Sequence, residues 1–275
     1  MRILITGCNG FVARNLTTYL SKSHTIIPTN RSTLNVLNEQ RVSDFLDKNN
    51  IDIVIHTAVS GGRRTKPDSI QTLIDNLKMF HNLLVNKDKF KALIHFGSGA
   101  EFDRRADISL AKEGDESNPI DYYGLSKKII NREIIKIDNF YNLRIFGCFG
   151  EKEDDHRFVK SCFQRLRENK RILIHQNRYM DFISVGDLCE VVRHYVDNYD
   201  KKILQKEINL CYTNKVSLLD IANKINVLFD MASDNVLINK EGYHTEYTGD
   251  GTRLSKLNLN LTGLDKSLKK LMLVH

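Results

Sequence analysis

The sequence lacks tryptophan, contains only three prolines and has no cysteine pair at a metal-binding spacing. Its five cysteines are scattered without a Cys-x-x-Cys motif, which indicates reduced thiols in a cytoplasmic protein without a metal centre. No apolar run approaches the ~20 residues that a membrane-spanning helix needs, so we expect no membrane partner. The first residues have the pattern of a strand and not that of a signal peptide, which also favours the cytoplasm.

The chain also has no concentrated block of one charge. Its 41 Lys and Arg residues outnumber 34 Asp and Glu residues, for a net charge of +7, but these charges are dispersed along the chain. Dispersed charge is typical of a solvated surface, and a modest positive excess suits a small anionic ligand better than nucleic acid. We therefore expect no nucleic-acid partner.

What the sequence does have is a regular alternation of short apolar runs with amphipathic segments of helix length. The pattern predicts strands over 3–6, 25–27, 53–56, 92–96 and 141–145, and helices over 10–20, 41–48, 70–86 and 123–136. This alternation is typical of βαβ units, whose strands form a parallel sheet that helices cover on both faces. The sequence therefore predicts an α/β fold, a Rossmann-type doubly wound parallel sheet with a smaller C-terminal part.

A glycine-containing turn joins the first predicted strand to the first helix. It contains Gly7, Asn9, Gly10, Phe11 and Val12. At this place in a βαβ unit, the backbone amides of the helix N-terminus bind the pyrophosphate of a dinucleotide. We therefore expect these five residues to bind a nicotinamide dinucleotide.

Small residues follow the predicted strand that ends at His56. Thr57, Ala58 and Val59 would let the backbone approach the same phosphates, so we add them to the cofactor site. We expect His56 itself to be a structural hydrogen-bonding residue.

The second predicted strand leads into Asn30, Arg31 and Ser32, with no carboxylate that would accept hydrogen bonds from both ribose hydroxyls of adenosine. A guanidinium beside amide and hydroxyl groups suits a 2′-phosphate instead. NADP is therefore favoured over NAD. In the alternative, with NAD as cofactor, Arg31 is an ordinary surface residue.

The alternating pattern loosens near residue 150, where we place the main domain boundary. Residues 1–150 are predicted to form the NAD(P)-binding Rossmann domain, and residues 151–275 the substrate-binding part. A strand-like segment over 181–185 suggests that about 178–195 returns to the Rossmann domain.

Tyr123 and Lys127 are the main catalytic candidates. They are four residues apart, so on a helix both side chains share one face and can act on one substrate atom. An ammonium beside a phenol stabilises the phenolate and lowers its pKa from about 10, which makes the tyrosine a proton donor near neutrality. Tyr122 is five residues before the lysine and therefore points away from that face.

Taken together, these motifs resemble the extended short-chain dehydrogenase/reductases, also called the NAD-dependent epimerase/dehydratase family, whose members mostly act on nucleotide-activated sugars. The resemblance also includes Asn76 and the glycine-rich segment around Ser98. It implies that Ser98 holds the substrate carbonyl oxygen, that Tyr123 donates the proton and that Lys127 binds the nicotinamide ribose. Asn35, Asn76 and Tyr123 join the cofactor site on the same grounds.

Within this family the chain looks most similar to the GDP-fucose synthases and the dTDP-4-dehydrorhamnose reductases, and its departures narrow the chemistry. The Asp-Glu pair of the 4,6-dehydratases is replaced by Gly99 and Ala100, so the acid and base for elimination are missing. GDP-fucose synthase has a cysteine at the place of Ala100, and its histidine matches Arg157 better than His156. We interpret His156 as an exposed loop residue.

Substrate contacts are predicted at Ser98, Ala100, Arg157 and Arg178. Met180 stands where relatives usually carry an arginine for the nucleotide pyrophosphate, and Arg178, Arg157 or Arg165 would replace it. The resemblance and these residues therefore predict an NADP-dependent reductase that acts on a keto group of a nucleotide-activated sugar. The favoured substrate is a 4-keto-6-deoxy sugar.

Two other functions remain open at this point. The same Ser/Tyr/Lys triad would serve a nucleotide-sugar 4-epimerase that retains its cofactor, and net cofactor turnover separates the two enzymes. A non-catalytic NADP-sensing or RNA-associated relative is the alternative from another class. The resemblance further implies a homodimer formed through the two long helices, predicted over 70–86 and 124–136.

Overall fold

A computed structural model describes residues 1–63, 66–201 and 204–274. The strands are β1 (Arg2–Thr6), β2 (Thr25–Thr29), β3 (Ile53–His56), β4 (Ala92–Ser98), β5 (Ile108–Ala111), β6 (Phe140–Ile145), β7 (Cys148–Phe149), β8 (Ile172–Asn177), β9 (Ile183–Ser184), β10 (Glu207–Leu210), β11 (Val236–Tyr243) and β12 (Tyr247–Gly249). The helices are α1 (Phe11–Leu20), α2 (Glu39–Asn49), α3 (Ile70–Leu84), α4 (Tyr122–Ile134), α5 (Phe158–Arg167), α6 (Val185–Asp197), α7 (Leu218–Leu228), α8 (Thr252–Ser255) and α9 (Leu264–Val274).

The chain forms two compact units. The first consists of Met1–Asp103, Glu113–Arg144 and Cys189–Ile208, and the second of Arg104–Lys112, Ile145–Leu188 and Asn209–His275. The second unit contains three two-stranded parallel pairings, β11 with β8, β12 with β5 and β7 with β9. Of the strand expected over 181–185, only Ile183 and Ser184 form a strand, β9, which pairs with β7 and not with the six-stranded sheet.

A six-stranded sheet organises the first unit. Its strand order is β10-β6-β4-β3-β1-β2, and β1 pairs in parallel with both β2 and β3. Strand β2 therefore lies on one side of β1 and strand β3 on the other. The order of strands reverses between β1 and β3, and their carboxyl ends border this switch point. This arrangement confirms the predicted Rossmann-type α/β fold, and a ligand of such a sheet binds at the switch point.

Apolar side chains from the sheet and three helices form the main core of the first unit. Leu4, Val54 and Leu93 face the same cluster from β1, β3 and β4. The cluster continues into α2, α3 and α4, for example with Phe80 and Ile130, both nearly fully buried. Among the described residues, no helix is both long enough and apolar enough to cross a bilayer.

Candidate active site

A cavity of about 660 Å³ opens at the switch point of the sheet. It is lined by residues that follow β1 and β3 and by the segment that leads into α3: Gly7, Gly10, Thr57, Ala58, Val59, Ser60, Gly61, Arg63, Lys66, Pro67, Asp68, Ser69, Gln71 and Thr72. Its volume is within the range of ~300–1,000 Å³ that is usual for small-molecule and cofactor sites.

Gly7 is required by the close approach of the two loops that border this cavity. Its backbone φ is +67°, and a Cβ added there would lie 2.7 Å from the Cα of Ala58. Any other residue would be strained in φ and would also push the two loops apart. The turn after β1 therefore fits a cofactor that needs close backbone approach.

The N-terminus of α1 also fits an anionic group. Gly10 is its N-cap residue, so no side chain caps the first turn, and that turn contains no acidic residue. The first backbone amides of a helix have no intrahelical acceptor and carry a partial positive charge, which favours a phosphate. Gly7, Gly10 and the loop after β3 would hold the pyrophosphate of a nicotinamide dinucleotide.

Hydrogen bonds fix the loop after β3 from both sides. The hydroxyl of Thr57 donates to the carbonyl oxygen of Thr6. The amide of Asn76, a predicted cofactor residue, donates to the carbonyl oxygen of Ser60 at 3.0 Å and to the hydroxyl of Ser126 at 3.0 Å, and its oxygen accepts from the Ser60 amide at 2.8 Å. Asn76 therefore holds the loop that lines the cavity.

The turn after β2 is closed by Asn30. Its side-chain oxygen accepts hydrogen bonds from the backbone amides of Ser32 at 2.9 Å and Thr33 at 3.2 Å. Arg31 and Ser32 are exposed, and Asn35 accepts from the amide of Leu37 at 3.2 Å. Several predicted cofactor residues are not among the described residues that line the cavity: Asn9, Phe11, Val12, Asn30, Arg31, Ser32, Asn35, Asn76, Tyr123 and Lys127.

Ser98 ends β4 and caps the short 3₁₀ turn Gly99–Glu101. Its hydroxyl oxygen accepts a hydrogen bond from the amide of Ala100 at 3.1 Å, and its own amide donates to the carboxylate of Glu101 at 3.0 Å. The second carboxylate oxygen of Glu101 accepts from the buried guanidinium of Arg144 at 2.9 Å. This turn is therefore rigidly held, and Glu101 is engaged on both oxygens.

Helix α4 packs against that turn at Gly124. A Cβ added to Gly124 would lie 2.0 Å from the carbonyl oxygen of Ala100, so only glycine allows this approach. The helix begins at its N-cap Asp121, whose carboxylate accepts from the Gly124 amide at 2.7 Å. The first turn of α4, which carries Tyr123, thus lies directly beside the turn that carries Ser98.

Tyr123 and Lys127 share one face of α4. The Nζ atom of Lys127 is 5.7 Å from the centre of the Tyr123 ring. The ring also lies against Gly62, where an added Cβ would be 2.8 Å from Cε2. Tyr122, by contrast, is 41% exposed.

Lys127 is almost completely buried, with 4% of its surface exposed. Nζ donates to the carbonyl oxygen of Phe96 at 2.7 Å and lies 3.3 Å from Nε2 of His95. Burial lowers the pKa of Lys127 from 10.5 to about 8, although the nearby carboxylate of Glu101 raises it. The amine therefore changes its charge close to neutral pH.

The predicted substrate residues Arg157 and Arg178 belong to the second unit. Arg157 precedes α5, and its guanidinium donates to the carboxylate of Glu153 at 2.8 Å and to the carbonyl oxygen of Cys148 at 3.2 Å. Burial raises the pKa of Glu153 to about 7, while Arg157 opposes this shift. The guanidinium of Arg178 lies 5.7 Å from the ring centre of Tyr247.

Two acidic residues of the second unit have structural partners. Asp181 accepts hydrogen bonds from Lys215 at 2.9 Å and from the amide of Gly249 at 2.8 Å. Asp187 accepts from the hydroxyl of Tyr212 and from the amide of Thr262 at 2.7 Å. His156, interpreted from the sequence as a loop residue, is exposed. Among the described residues, no cluster of His, Cys, Asp and Glu could hold a metal ion.

Sequence reasoning missed the segment between β3 and α3. Ser60, Gly61, Arg63 and Lys66 line the cavity, although none was a predicted site residue. The adjacent glycines Gly61 and Gly62 have φ values of +77° and +73°, and this pair was the signal that could have indicated a special loop. Residues 64 and 65 lie outside the described part of the chain.

Residues 3–211 match the family model of the NAD dependent epimerase/dehydratase family. The chain belongs to this family. A curated relative, GDP-6-deoxy-D-talose 4-dehydrogenase from Aggregatibacter actinomycetemcomitans, is 25% identical over 223 residues, which cover 77% of this chain and 74% of the relative. The match confirms the predicted family.

Solved structures of similar fold include reductases of nucleotide-activated sugars. GDP-mannoheptose C4 reductase from Campylobacter jejuni, with NADP bound, has a TM-score of 0.82 at 20% identity and covers 99% of this chain and 97% of its own. A dTDP-4-dehydrorhamnose reductase from Clostridium acetobutylicum has a TM-score of 0.78 at 20% identity, with 100% and 99% coverage. These two structures show the fold alone. Membership of the NAD dependent epimerase/dehydratase family supports a nicotinamide cofactor, whereas the choice of NADP stays a prediction.

Proposed function

We propose that this protein is an NADP-dependent reductase of the 4-keto group of a nucleotide-activated 6-deoxy sugar. The observation that carries the proposal is the position of Lys127 Nζ, 5.7 Å from the Tyr123 ring on one face of α4. The turn of Ser98 packs against the same helix at Gly124. The three side chains that would act on one carbonyl oxygen therefore belong to two elements in contact, α4 and the turn at Ser98.

Each of the three residues has a separate task in this reaction. The hydroxyl of Ser98 accepts from the Ala100 amide and directs its own hydrogen to the substrate carbonyl oxygen. Tyr123 donates the proton that this oxygen takes up. Lys127, as an ammonium, stabilises the resulting phenolate and binds the ribose of the nicotinamide. The bound cofactor supplies the hydride.

The surroundings of Ser98 favour simple keto reduction over elimination or epimerisation next to the ketone. Ala100 is 2% exposed and has no group that could take a proton. Glu101 is the nearest carboxylate along the chain, but its oxygens accept from the Ser98 amide and from Arg144. A base for the carbons that flank a ketone is therefore missing from this turn.

Two further parts of the proposal come from the exposed turn after β2 and from the relatives. Arg31 supports NADP because a guanidinium can pair with a 2′-phosphate. Position 4 of the sugar is supported by the names of two relatives, a GDP-6-deoxy-D-talose 4-dehydrogenase and a GDP-mannoheptose C4 reductase.

The decisive experiment incubates the protein with NADPH and a panel of GDP-, dTDP- and UDP-activated 4-keto-6-deoxy sugars in deuterated water. We expect stoichiometric oxidation of NADPH with one of them, and no deuterium at the carbons that flank the ketone. When the corresponding nucleotide-activated 4-hydroxy sugars are incubated in parallel, their interconversion as 4-epimers without net turnover of the cofactor would instead identify an epimerase. Deuterium at the flanking carbons would show that a base is present after all.

A further inference from the structure

Two buried imidazoles lie side by side next to Lys127. His56 on β3 and His95 on β4 are register partners, and their ring centroids are 5.5 Å apart. They are 2% and 1% exposed. The proposed reaction uses neither ring, and a buried polar group is destabilising unless it has a partner.

The two rings differ in what they contact. Nδ1 of His56 shares a 2.9 Å hydrogen bond with the hydroxyl of Thr6. Nε2 of His95 lies 3.3 Å from Nζ of Lys127, whereas its Nδ1 has no hydrogen-bond partner among the described residues. Because an ammonium can only donate, Nε2 of His95 is the acceptor and the hydrogen of this neutral ring is on Nδ1.

This arrangement is unfavourable for folding alone. A buried N–H without an acceptor costs stability, and the ring of His95 already packs edge-on against Phe80, with centroids 6.2 Å apart. A phenylalanine at position 95 would make similar ring contacts without leaving a donor unpaired. The one thing that histidine adds here is the acceptor nitrogen that faces Lys127.

The charges around Lys127 explain why an acceptor matters. Burial lowers the pKa of Lys127 to about 8, and the carboxylate of Glu101, which follows β4, opposes this shift. Burial, Lys127 and His56 keep the pKa of His95 well below its ordinary value, so its ring stays neutral and able to accept. His56 and Tyr123, the latter on the same helix as Lys127, also interact with the amine.

We infer that His95 is a positioning residue for Lys127, because its Nε2 and the carbonyl oxygen of Phe96 together fix Nζ as an ammonium beside Tyr123. Two of the three Nζ hydrogens are then directed into the protein, and one is left for the cofactor ribose. The catalytic consequence of this inference rests on the proposed function, but the contact between His95 and Lys127 can be tested without any substrate.

The test follows the charge of Lys127 in the full chain. With ¹³C-labelled lysine, the Cε resonance of Lys127, identified by its loss in Lys127→Met, is titrated with pH. We expect His95→Phe to lower the midpoint by about one to two pH units because the ammonium loses one of its two acceptors. His95→Gln, whose side-chain oxygen can accept, should restore most of the shift. His56→Phe is the matched control, because it removes an equally buried imidazole that bonds to Thr6, and it should move the midpoint less.

A second measurement needs no variant. The ¹⁵N shifts of His95 in the unmodified protein should report the hydrogen on Nδ1 and a bare Nε2. A hydrogen on Nε2, or an unchanged Lys127 midpoint in folded His95→Phe, would overturn the inference while leaving the proposed function untouched. A lowered midpoint in a protein that reduces no keto-sugar would support the inference and remove the proposed function.

Discussion

Tyr122 and Tyr123 are adjacent in the first turn of α4, and their surroundings differ. Tyr123 faces Lys127 and packs on Gly62, whereas Tyr122 is exposed. Tyr123→Phe removes only the proton donor, so we expect turnover of the keto-sugar to fall ~10²- to 10⁴-fold with little change in NADPH affinity. Steady-state kinetics and cofactor titration measure the two quantities separately.

Tyr122→Phe is the matched control for this variant, and it should keep near-normal turnover. The reverse result, in which Tyr123→Phe keeps full turnover and Tyr122→Phe abolishes it, would show that Tyr122 is the proton donor. If neither change affects any reaction, a non-catalytic protein becomes the better interpretation.

Arg31 is the residue on which cofactor choice depends. Its guanidinium is exposed in the turn that Asn30 closes, where it can meet a 2′-phosphate that NADH lacks. Arg31→Ala should reduce the preference for NADPH over NADH by ~1 to 3 kcal/mol through lost charge-assisted hydrogen bonds. Dissociation constants for both cofactors measure this preference. Arg41→Ala, an exposed arginine of α2, should leave it unchanged, and equal affinities in the unmodified protein would contradict the prediction.

At the scale of elements, the contact between α4 and the Ser98 turn depends on Gly124. The Cβ of Gly124→Ala would meet the carbonyl oxygen of Ala100 at 2.0 Å, so the helix has to move. Overpacking of this kind typically costs ~1 to 3 kcal/mol, and the displaced helix carries both Tyr123 and Lys127. We expect lower stability and a large loss of turnover, measured by urea unfolding and kinetics.

Gly114→Ala is a suitable control for that variant, since an added Cβ at Gly114 meets no atom within 4 Å. It should leave both stability and turnover nearly unchanged. If Gly124→Ala behaved in the same way, the close approach of α4 to the Ser98 turn would not be needed for the site.

The elements of the first unit could be predicted because local patterns decide them. Strand β3 forms over the predicted residues, and α4 begins one residue before the predicted start, at the cap that Asp121 provides. The site itself depends on contacts between elements distant in sequence. The approach of Gly124 to Ala100 and the bond between His95 and Lys127 depend on strand register and helix packing, which periodicity does not contain.

The second unit was harder to predict for a related reason. Two of its strands, β7 and β9, have only two residues each, so an alternating apolar and polar pattern cannot be recognised there. Partners such as Asp181 and Lys215 are also far apart in sequence, and their ion pair has no local pattern. Sequence reasoning could therefore name Arg157 and Arg178 as charged candidates but could not describe their contacts.

For the whole molecule, α3 has apolar side chains on its exposed surface. Ile70 and Ile74 are 52% and 48% exposed and lie one turn apart, which supports the predicted homodimer through the long helices. Ile74→Asp should therefore produce a monomer, which sedimentation velocity can detect. Val227→Asp is the matched control, because it changes a β-branched apolar residue of α7 that is 70% exposed. It should not alter the mass of the particle in solution. A monomeric unmodified protein would contradict this prediction.

Stability of the whole fold should depend on pH through Lys127. Its pKa is about 8 in the folded protein and 10.5 ordinarily, so between these values the unfolded chain binds a proton that the folded chain does not. The free energy of unfolding therefore rises with pH through this window. Below pH ~8 the buried ammonium carries its full cost, on the order of 3 kcal/mol.

Lys127→Met removes that charge while keeping most of the packing. At pH 7 the variant should be more stable than the unmodified protein. Removal of the buried charge contributes up to ~3 kcal/mol, and loss of the hydrogen bond to the Phe96 carbonyl oxygen costs ~1 kcal/mol. This advantage should shrink as the pH rises from about 8 towards 10.5, which urea unfolding of both proteins at neutral and alkaline pH can measure. An identical difference at both pH values would show that Lys127 does not titrate in this range. Turnover should fall in the same variant, because no ammonium is left to stabilise the phenolate of Tyr123.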